Sequence, residues 1–283
     1  MVDLVIFGTV ALDSLETPFG KANNVLGGSA SYASIAASFF TKPGIISIIG
    51  KDFPKEHIDF FNKKGVDTSG IIIGDKTFRW EGYYEYDMNE AKTLRTELNS
   101  LESYKVKIPE SYKNAKYLFL GNMDPELQLD VIKEIKNPEL VVMDTMNFWI
   151  QHKKEHLIKA VKKADILVFN DGEARQLFNT PNLIKAANEA LKLVSKAVII
   201  KKGEHGALLF CDKKHFSAPS YPMEILKDPT GCGDCFGGAL AGYLAKTRDL
   251  SEKNLRRAVV YGSVVASFNA EDFSVGRLKQ ITN

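Results

Sequence analysis

From Ala115 onward the chain alternates between short apolar runs and helical stretches, and this alternation limits the possible folds more than any other feature. The apolar runs are 117–120, 140–143, 166–169 and 197–200. Between them lie 124–136, 153–163 and 182–195, each long enough for about three helical turns. The runs do not alternate apolar with polar, so both faces of each strand are covered. Strand–helix order of this kind predicts βαβ units: a parallel sheet with helices on both faces.

The N-terminal part fits the same scheme. Residues 2–7 are apolar and end at Gly8. Gly27-Gly28 opens a helix of small residues that stops before Pro43. A strand at 44–49, a helix at 54–64 stopped by Gly65, and a strand at 71–73 follow. Residues 207–210 and 215–218 read as a hairpin. Two helices, 234–246 and 252–268, close the chain. The fold class read from sequence is therefore α/β: a three-layer, Rossmann-like parallel sheet. Ligands of such sheets bind at the carboxyl ends of the strands.

Residues 77–98 are of another style. Thr77 to Tyr86 is aromatic and strand-like, 87–90 is a polar turn, and 91–98 can pair back as a hairpin. This predicts a small β lid formed mainly by 77–98, with 13–26 as a candidate second part, on one domain spanning 1–283. The aromatics Trp80, Tyr83, Tyr84 and Tyr86 suit two roles: stacking on an acceptor, or a homodimer contact between lids.

The 283 residues carry a net charge of only +2, and charged residues make up 25%. That argues against a concentrated basic face for nucleic acid. No stretch reaches the length of a membrane span. The first residues are apolar but carry Asp3 and no basic region, so they read as a strand rather than a signal peptide, and the expected location is cytoplasmic. Cys211, Cys232 and Cys235 make no disulfide framework. The C-x-x-C spacing of the last two lacks a second pair to complete a metal site. His152 and His156 lie i, i+4 on a helix, but with no third ligand they read as a surface pair.

The most informative stretch runs from Asp228 to Leu244, DPTGCGDCFGGALAGYL. Pro229 and the glycines force a loop, and the small apolar residues after Asp234 form a helix. Gly231, Cys232 and Gly233 then lie at a helix N-terminus, where unpaired N–H groups and the dipole favour an anion. An aspartate in that first turn has two readings. It suits a helix start in any protein. Beside an anion pocket it also suits a base that takes a proton from a nucleophile attacking the anion.

The whole stretch resembles the C-terminal signature of the ribokinase-like (PfkB) family of carbohydrate and nucleoside kinases, a D-x-T-G/A-A/C-G-D core followed by a small-residue helix. That resemblance implies that Asp234 is the catalytic base and that Gly231, Cys232 and Gly233 form an anion hole. It also implies that Asp228 and Thr230 hold a monovalent cation such as K⁺. Four other places agree with it. Asp13 follows the first strand, where the family binds sugar hydroxyls; alone it reads as a loop acid. Gly27-Gly28 with Tyr32 resembles the GG-x-x-x-N signature, with Tyr32 in place of the usual Asn. Asn170 and Glu173 resemble the N-x-x-E motif, which organises Mg²⁺ and phosphate through water; they also suit a helix cap. Lys202, Gly203 and Gly206 resemble the nucleotide-side G-x-x-G turn. Arg79 in the lid is placed either on the acceptor or opposite Glu81 or Glu97.

The resemblance implies an ATP- and Mg²⁺-dependent kinase acting on a hydroxyl of a small sugar or polyol, with a nucleoside as the alternative acceptor. A non-catalytic sugar- or nucleotide-binding protein on the same fold is a further reading. A dinucleotide oxidoreductase is disfavoured, because the first turn, Gly8-Thr9-Val10-Ala11, lacks G-x-G-x-x-G. No P-loop and no protein-kinase signature is present.

Overall fold

Alternate residues of each central strand enter different cores. Leu4 and Ile6, Tyr117 and Phe119, Ile166 and Val168, and Ala197 and Ile199 join one apolar cluster. Val5 and Phe7, Leu118 and Leu120, Leu167 and Phe169, and Val198 and Ile200 join the other. A strand reads as a continuous apolar run when each face of its sheet meets helices, and that is the case here. The computed structural model describes residues 2–211 and 214–282. The termini Met1 and Asn283, part of the single span expected from sequence, lie outside the described residues.

The elements in chain order are β1 (Leu4–Phe7), β2 (Ala11–Thr17), β3 (Gly20–Gly27), α1 (Ser29–Ser38), β4 (Gly44–Gly50), α2 (Lys55–Lys63), β5 (Asp67–Gly74), β6 (Phe78–Tyr84) and β7 (Ala91–Glu97). They continue with β8 (Tyr117–Leu120), α3 (Pro125–Glu134), β9 (Leu140–Met143), α4 (Asn147–His152), α5 (Lys154–Val161), β10 (Ile166–Asn170), α6 (Asp171–Phe178) and α7 (Leu183–Leu191). The last are β11 (Ala197–Lys201), β12 (Ala207–Cys211), β13 (Lys214–Ala218), α8 (Cys232–Thr247), α9 (Glu252–Ala270) and α10 (Gly276–Gln280).

The large sheet has nine strands in the order β13-β12-β11-β10-β9-β8-β1-β4-β5. From β11 to β5 every pairing is parallel; β12 and β13 add an antiparallel edge. One face is covered by α1, α2, α8 and α9, the other by α3, α5, α6 and α7. The small residues of α1 and α8 let the two helices touch by backbone. A Cβ on Gly238 would fall 2.1 Å from the Ala33 carbonyl oxygen, and one on Gly242 2.9 Å from Ala37 Cα. This contact lays α8 against the sheet and fixes where its N-terminus points.

A second sheet of four strands, β3-β2-β6-β7, rises from the loop after β1 and from the chain after β5. Both stretches read from sequence, 77–98 and 13–26, contribute strands to it. β2 pairs parallel with β6, while β2–β3 and β6–β7 are antiparallel. Among the described residues no helix is long and apolar enough to cross a membrane.

Candidate active site

Strand parity selects the residues that meet at one end of the large sheet. Val142, Val168 and Ile199 all face the α1, α8 and α9 layer. Two residues further along the same strands or their exits come Asp144, Asn170 and Lys201, on the same side by parity. The N-terminus of α8 ends in front of them. Asp13 comes from the other direction, on β2 of the second sheet.

The α8 loop is shaped by Gly231, the N-cap, with φ +77. A Cβ there would lie 2.4 Å from the ring of Tyr32, so the left-handed turn and the close ring both require glycine. The N–H of Cys232 donates to the Pro229 carbonyl at 3.1 Å. The backbone donor that sequence assigned to Cys232 is therefore already engaged in closing the turn. Its thiol bonds the Ala266 carbonyl at 3.4 Å, and burial pushes it up to about 12, so it is an inert packing group.

Asp234 sits in the first turn of α8 with part of its surface open. Burial first, and then the neighbouring Asp144 carboxylate, raise it to about 7 against the pull of Lys201. Glu173 is likewise raised to about 7 by burial, opposed by Lys201 and reinforced by Asp144 and Asp234. Asn170 and Glu173 form the reciprocal cap foreseen from sequence. The Asn170 N–H donates to Glu173 Oε2 at 2.7 Å, and the Glu173 N–H to Asn170 Oδ1 at 2.7 Å.

Asp13 is buried, at 4% exposure, and its Oδ1 has no hydrogen-bond partner. Burial lifts it to about 8; the Gly28 amide opposes, and Asp228 and Asp234 add to the rise. Its Oδ2 lies against Gly27, where a Cβ would stand only 1.8 Å away. Gly28, at φ +91, would carry a Cβ 2.5 Å from the Thr9 carbonyl oxygen. Tyr32 is also buried, with a hydroxyl that lacks a partner. An acceptor and a donor are thus both left open near Asp228.

Asp228 is buried and raised by that burial. Its carboxylate accepts from the N–H of Thr230 at 2.9 Å and of Ser274 at 3.2 Å. Asn269 Nδ2 donates to the Thr230 carbonyl at 2.8 Å, while Asn269 Oδ1 is buried without a partner. The Thr230 hydroxyl meets the Tyr84 hydroxyl at 3.2 Å, which brings the second sheet onto this loop.

The remaining candidates separate. At Gly203, φ +52, no atom lies within 4 Å of a notional Cβ; at Gly206, φ +80, one would strike the Ala218 carbonyl oxygen at 2.0 Å. Gly206 is thus required by its own turn, and Gly203 borders open space. The Lys202 amide donates to the Gly206 carbonyl at 2.8 Å. Arg79 stands opposite Glu97 in the β6–β7 pairing, as one of the two sequence readings had it, while its guanidinium bonds Asn24 and, at 2.9 Å, Asp52. Burial would raise Asp52, but its bonds to Arg79 and Thr77 outweigh this and hold it low. Trp80 donates to Thr93 at 3.1 Å across the hairpin, and Tyr86 is exposed. His156 lies 3.5 Å from Glu126. Among the described residues no cluster of three His, Cys, Asp or Glu is arranged for a metal.

Sequence reasoning missed Asp144, Lys201, Asn269 and the contact of Tyr84 with Thr230. Parity along β9 and β11 would have found the first two. It also explains why Lys201, and not Lys202, turns toward α8: a shift of one residue reverses the face.

The model of the pfkB family carbohydrate kinases matches residues 7–280. Cytidine kinase of Thermococcus kodakarensis is 32% identical over 263 residues, covering 89% of this chain and 92% of that protein. The crystal structure of the Methanocaldococcus jannaschii nucleoside kinase, an archaeal member of the ribokinase family, superposes with a TM-score of 0.79 at 21% identity and covers 99% of each chain. Aminoimidazole riboside kinase of Salmonella enterica, solved with aminoimidazole riboside and an ATP analogue, gives 0.77 at 17% identity, with 97% of this chain and 96% of that one covered.

Proposed function

Since this chain belongs to the pfkB family of carbohydrate kinases, whose members are ATP-dependent phosphotransferases acting on hydroxyl groups of sugars and nucleosides, we propose that it uses Asp234 as the base of such a transfer. The observation that carries this reading is the position of Asp234. A carboxylate raised to about 7 stands at a helix N-terminus built to hold an anion, with the unpaired Asp13 oxygen across from it. The acceptor is a small sugar or polyol held between the two sheets by Asp13 and the Gly27-Gly28 backbone, beside Tyr32. ATP lies along the open side of Gly203 and Lys202. The second sheet acts as a lid.

The acceptor oxygen attacks the γ-phosphorus of ATP. A new O–P bond forms, the bond from that phosphorus to the β–γ bridging oxygen breaks, and its electron pair leaves with ADP. The hydroxyl proton passes to Asp234. The amides of the Gly231–Gly233 turn other than that of Cys232 receive the charge that builds on the transferring group. Asp234 at about 7 is matched to a proton that becomes acidic only during attack.

Mg²⁺ would be held through water by Glu173 beside Asn170, a hard-oxygen set that suits it, and would neutralise phosphate charge. A monovalent cation also fits: Asn269 Oδ1 is a buried acceptor with no partner, next to the Thr230 carbonyl and Asp228. A nucleoside acceptor is the second reading. The 32% identical relative is named a cytidine kinase, and two tyrosines, buried Tyr32 and half-buried Tyr84, lie near enough to Asp13 to feel its charge. A second copy of the chain would pack on the β6–β7 hairpin, where Tyr86 and Leu94 are exposed.

The test is ADP release from ATP over a panel of sugars, polyols and nucleosides, with and without K⁺. Turnover with at least one acceptor is expected. ATP binding with no turnover on any of them would favour a non-catalytic binding protein.

A further inference from the structure

Lys201 ends β11 and pairs in register with Asn170 of β10. Its ammonium bonds Asp144 Oδ2 at 2.7 Å, with the side chains only 17% and 4% exposed. A Cβ on Gly233 would stand 2.9 Å from the same nitrogen. The lysine therefore occupies the space beside the first turn of α8 that any side chain at 233 would need. Among the described residues Asp144 is its one hydrogen-bonded partner. An ammonium carries three donors, so two remain.

A buried ion pair of this kind is a poor stability device, because an apolar pair of similar volume is often as good or better. The pair needs another reason to be here, and its place supplies one. The ammonium lies where the α8 amides and dipole already favour an anion, with Asp234, Glu173 and Asp144 as the carboxylates acting on it. Without a cation, those three acids would repel the phosphates the site must receive. Asp144 is more deeply buried than Asp234 and holds the ammonium by one hydrogen bond, which leaves its other donors to face the α8 turn.

We propose that Lys201 is a further catalytic residue, contacting the phosphoryl group in transfer at the N-terminus of α8, and that Asp144 is its positioning residue. The assignment rests on the reading of Asp234 and this helix as the phosphoryl-transfer site. The ammonium stabilises charge that is greater in the transition state than in bound ATP, so its loss acts on kcat more than on KM.

The test is kinetics of the full chain with Mg²⁺-ATP and, as acceptor probes, cytidine and ribose. Lys201→Met alone strands a buried carboxylate and threatens folding, so the deciding variant is the double Lys201→Met/Asp144→Leu, checked by its melting curve. The expected result is a folded protein that binds ATP within about fivefold of the parent, with kcat lower by roughly 100-fold or more. Lys201→Arg should recover at least about tenfold of that loss. Asp144→Asn should lower kcat by about tenfold with little change in KM. A second measurement does not depend on the acceptor: the double variant should lose at least about tenfold in affinity for ADP with aluminium fluoride, relative to ADP alone. A folded double variant with kcat within about threefold of the parent, or an effect on the KM for ATP alone, would overturn the assignment. If Asp234→Asn were also fully active, the site reading itself would have failed, which is a distinct result.

Discussion

The two sheets of this protein differ in how they are held. The nine-stranded sheet has helices on both faces, and its strands β1, β8 and β9 are buried at every residue. The four-stranded sheet sends Leu12 and Leu26 into the core on one side, but β7 is exposed along nearly its whole length. The outer hairpin β6–β7 has little stability of its own. The small sheet is tied to the main body by Leu12 and Leu26 in the core, by Arg79 and Thr77 to Asp52, by Tyr84 to Thr230, by Ser274 to the Leu26 carbonyl, and by the run of β3 through Gly28 into α1. The difference teaches where each task can reside. The groups proposed for phosphoryl transfer, Asp234, Glu173 and Lys201, stand on the large sheet and its helices. The small sheet brings Asp13 and Tyr84 to the same end of the large sheet, and in the proposed function it is the part that would open for an acceptor.

The harshest way to break this division is at the seam. In Gly27→Ala the new Cβ would fall 1.8 Å from Asp13 Oδ2, so the carboxylate must leave its place. Acceptor turnover should fall by more than about 100-fold with a far smaller change in ATP affinity, read by initial rates and titration. Asp13→Ala should be somewhat milder. Leaving acceptor hydroxyls unpaired costs about 1–3 kcal/mol, so acceptor affinity should drop by roughly 5- to 150-fold while ATP binding holds. Unchanged acceptor affinity would reduce Asp13 to a buried acid without a ligand role.

The same buried acids sharpen the comparison through pH. Asp13 is raised to about 8, and Glu173 and Asp234 to about 7, from ordinary values near 4. Between about pH 4 and pH 8 the folded protein holds protons that the unfolded chain has released. Stability from these groups is thus present at the acid end and is lost as pH rises through their folded values. Asp13→Asn removes the largest of these shifts, so the gain in Tm of the variant over the parent should be greater at pH 8 than at pH 5. A difference of about 2–4 °C per kcal/mol is the scale to look for in paired melting curves. An equal change at both pH values would mean that Asp13 is not held protonated.

Arg79→Ala should have the smallest effect. Its pair with Asp52 is about one-third exposed on both sides, and such pairs contribute up to about 1 kcal/mol. Amide exchange should quicken in β6 and β7 and stay unchanged in α8, with acceptor KM rising by a few-fold. Faster exchange in α8 as well would show that the two sheets unfold as one unit.

The large sheet was legible in the sequence because burial on both faces writes itself as unbroken apolar runs. The α8 loop was legible because only glycine tolerates the φ of Gly231 against Tyr32. Asn170 and Glu173 were read twice, as cap and as motif, and the cap is present. What escaped was long-range pairing. Nothing local in the sequence ties Arg79 to Asp52, Asn269 to Thr230, or Lys201 to Asp144, 57 residues away. Lys201 went unread beside Lys202, although the faces of Ala197 and Ile199 carried the parity that turns it toward α8.

The central claim, that Asp234 is the base of phosphoryl transfer, is tested most directly by Asp234→Asn. The measurement is single-turnover phosphoryl transfer from ATP across pH 5.5–9, beside the parent protein. In the parent, the rate should rise with pH through about 7, as Asp234 loses its proton, and then level. In the variant the rate should be lower by about 10²–10⁴-fold and flat over that range, with ATP affinity retained. A variant that keeps a rate within about tenfold of the parent and the same rise through pH 7 would contradict the account.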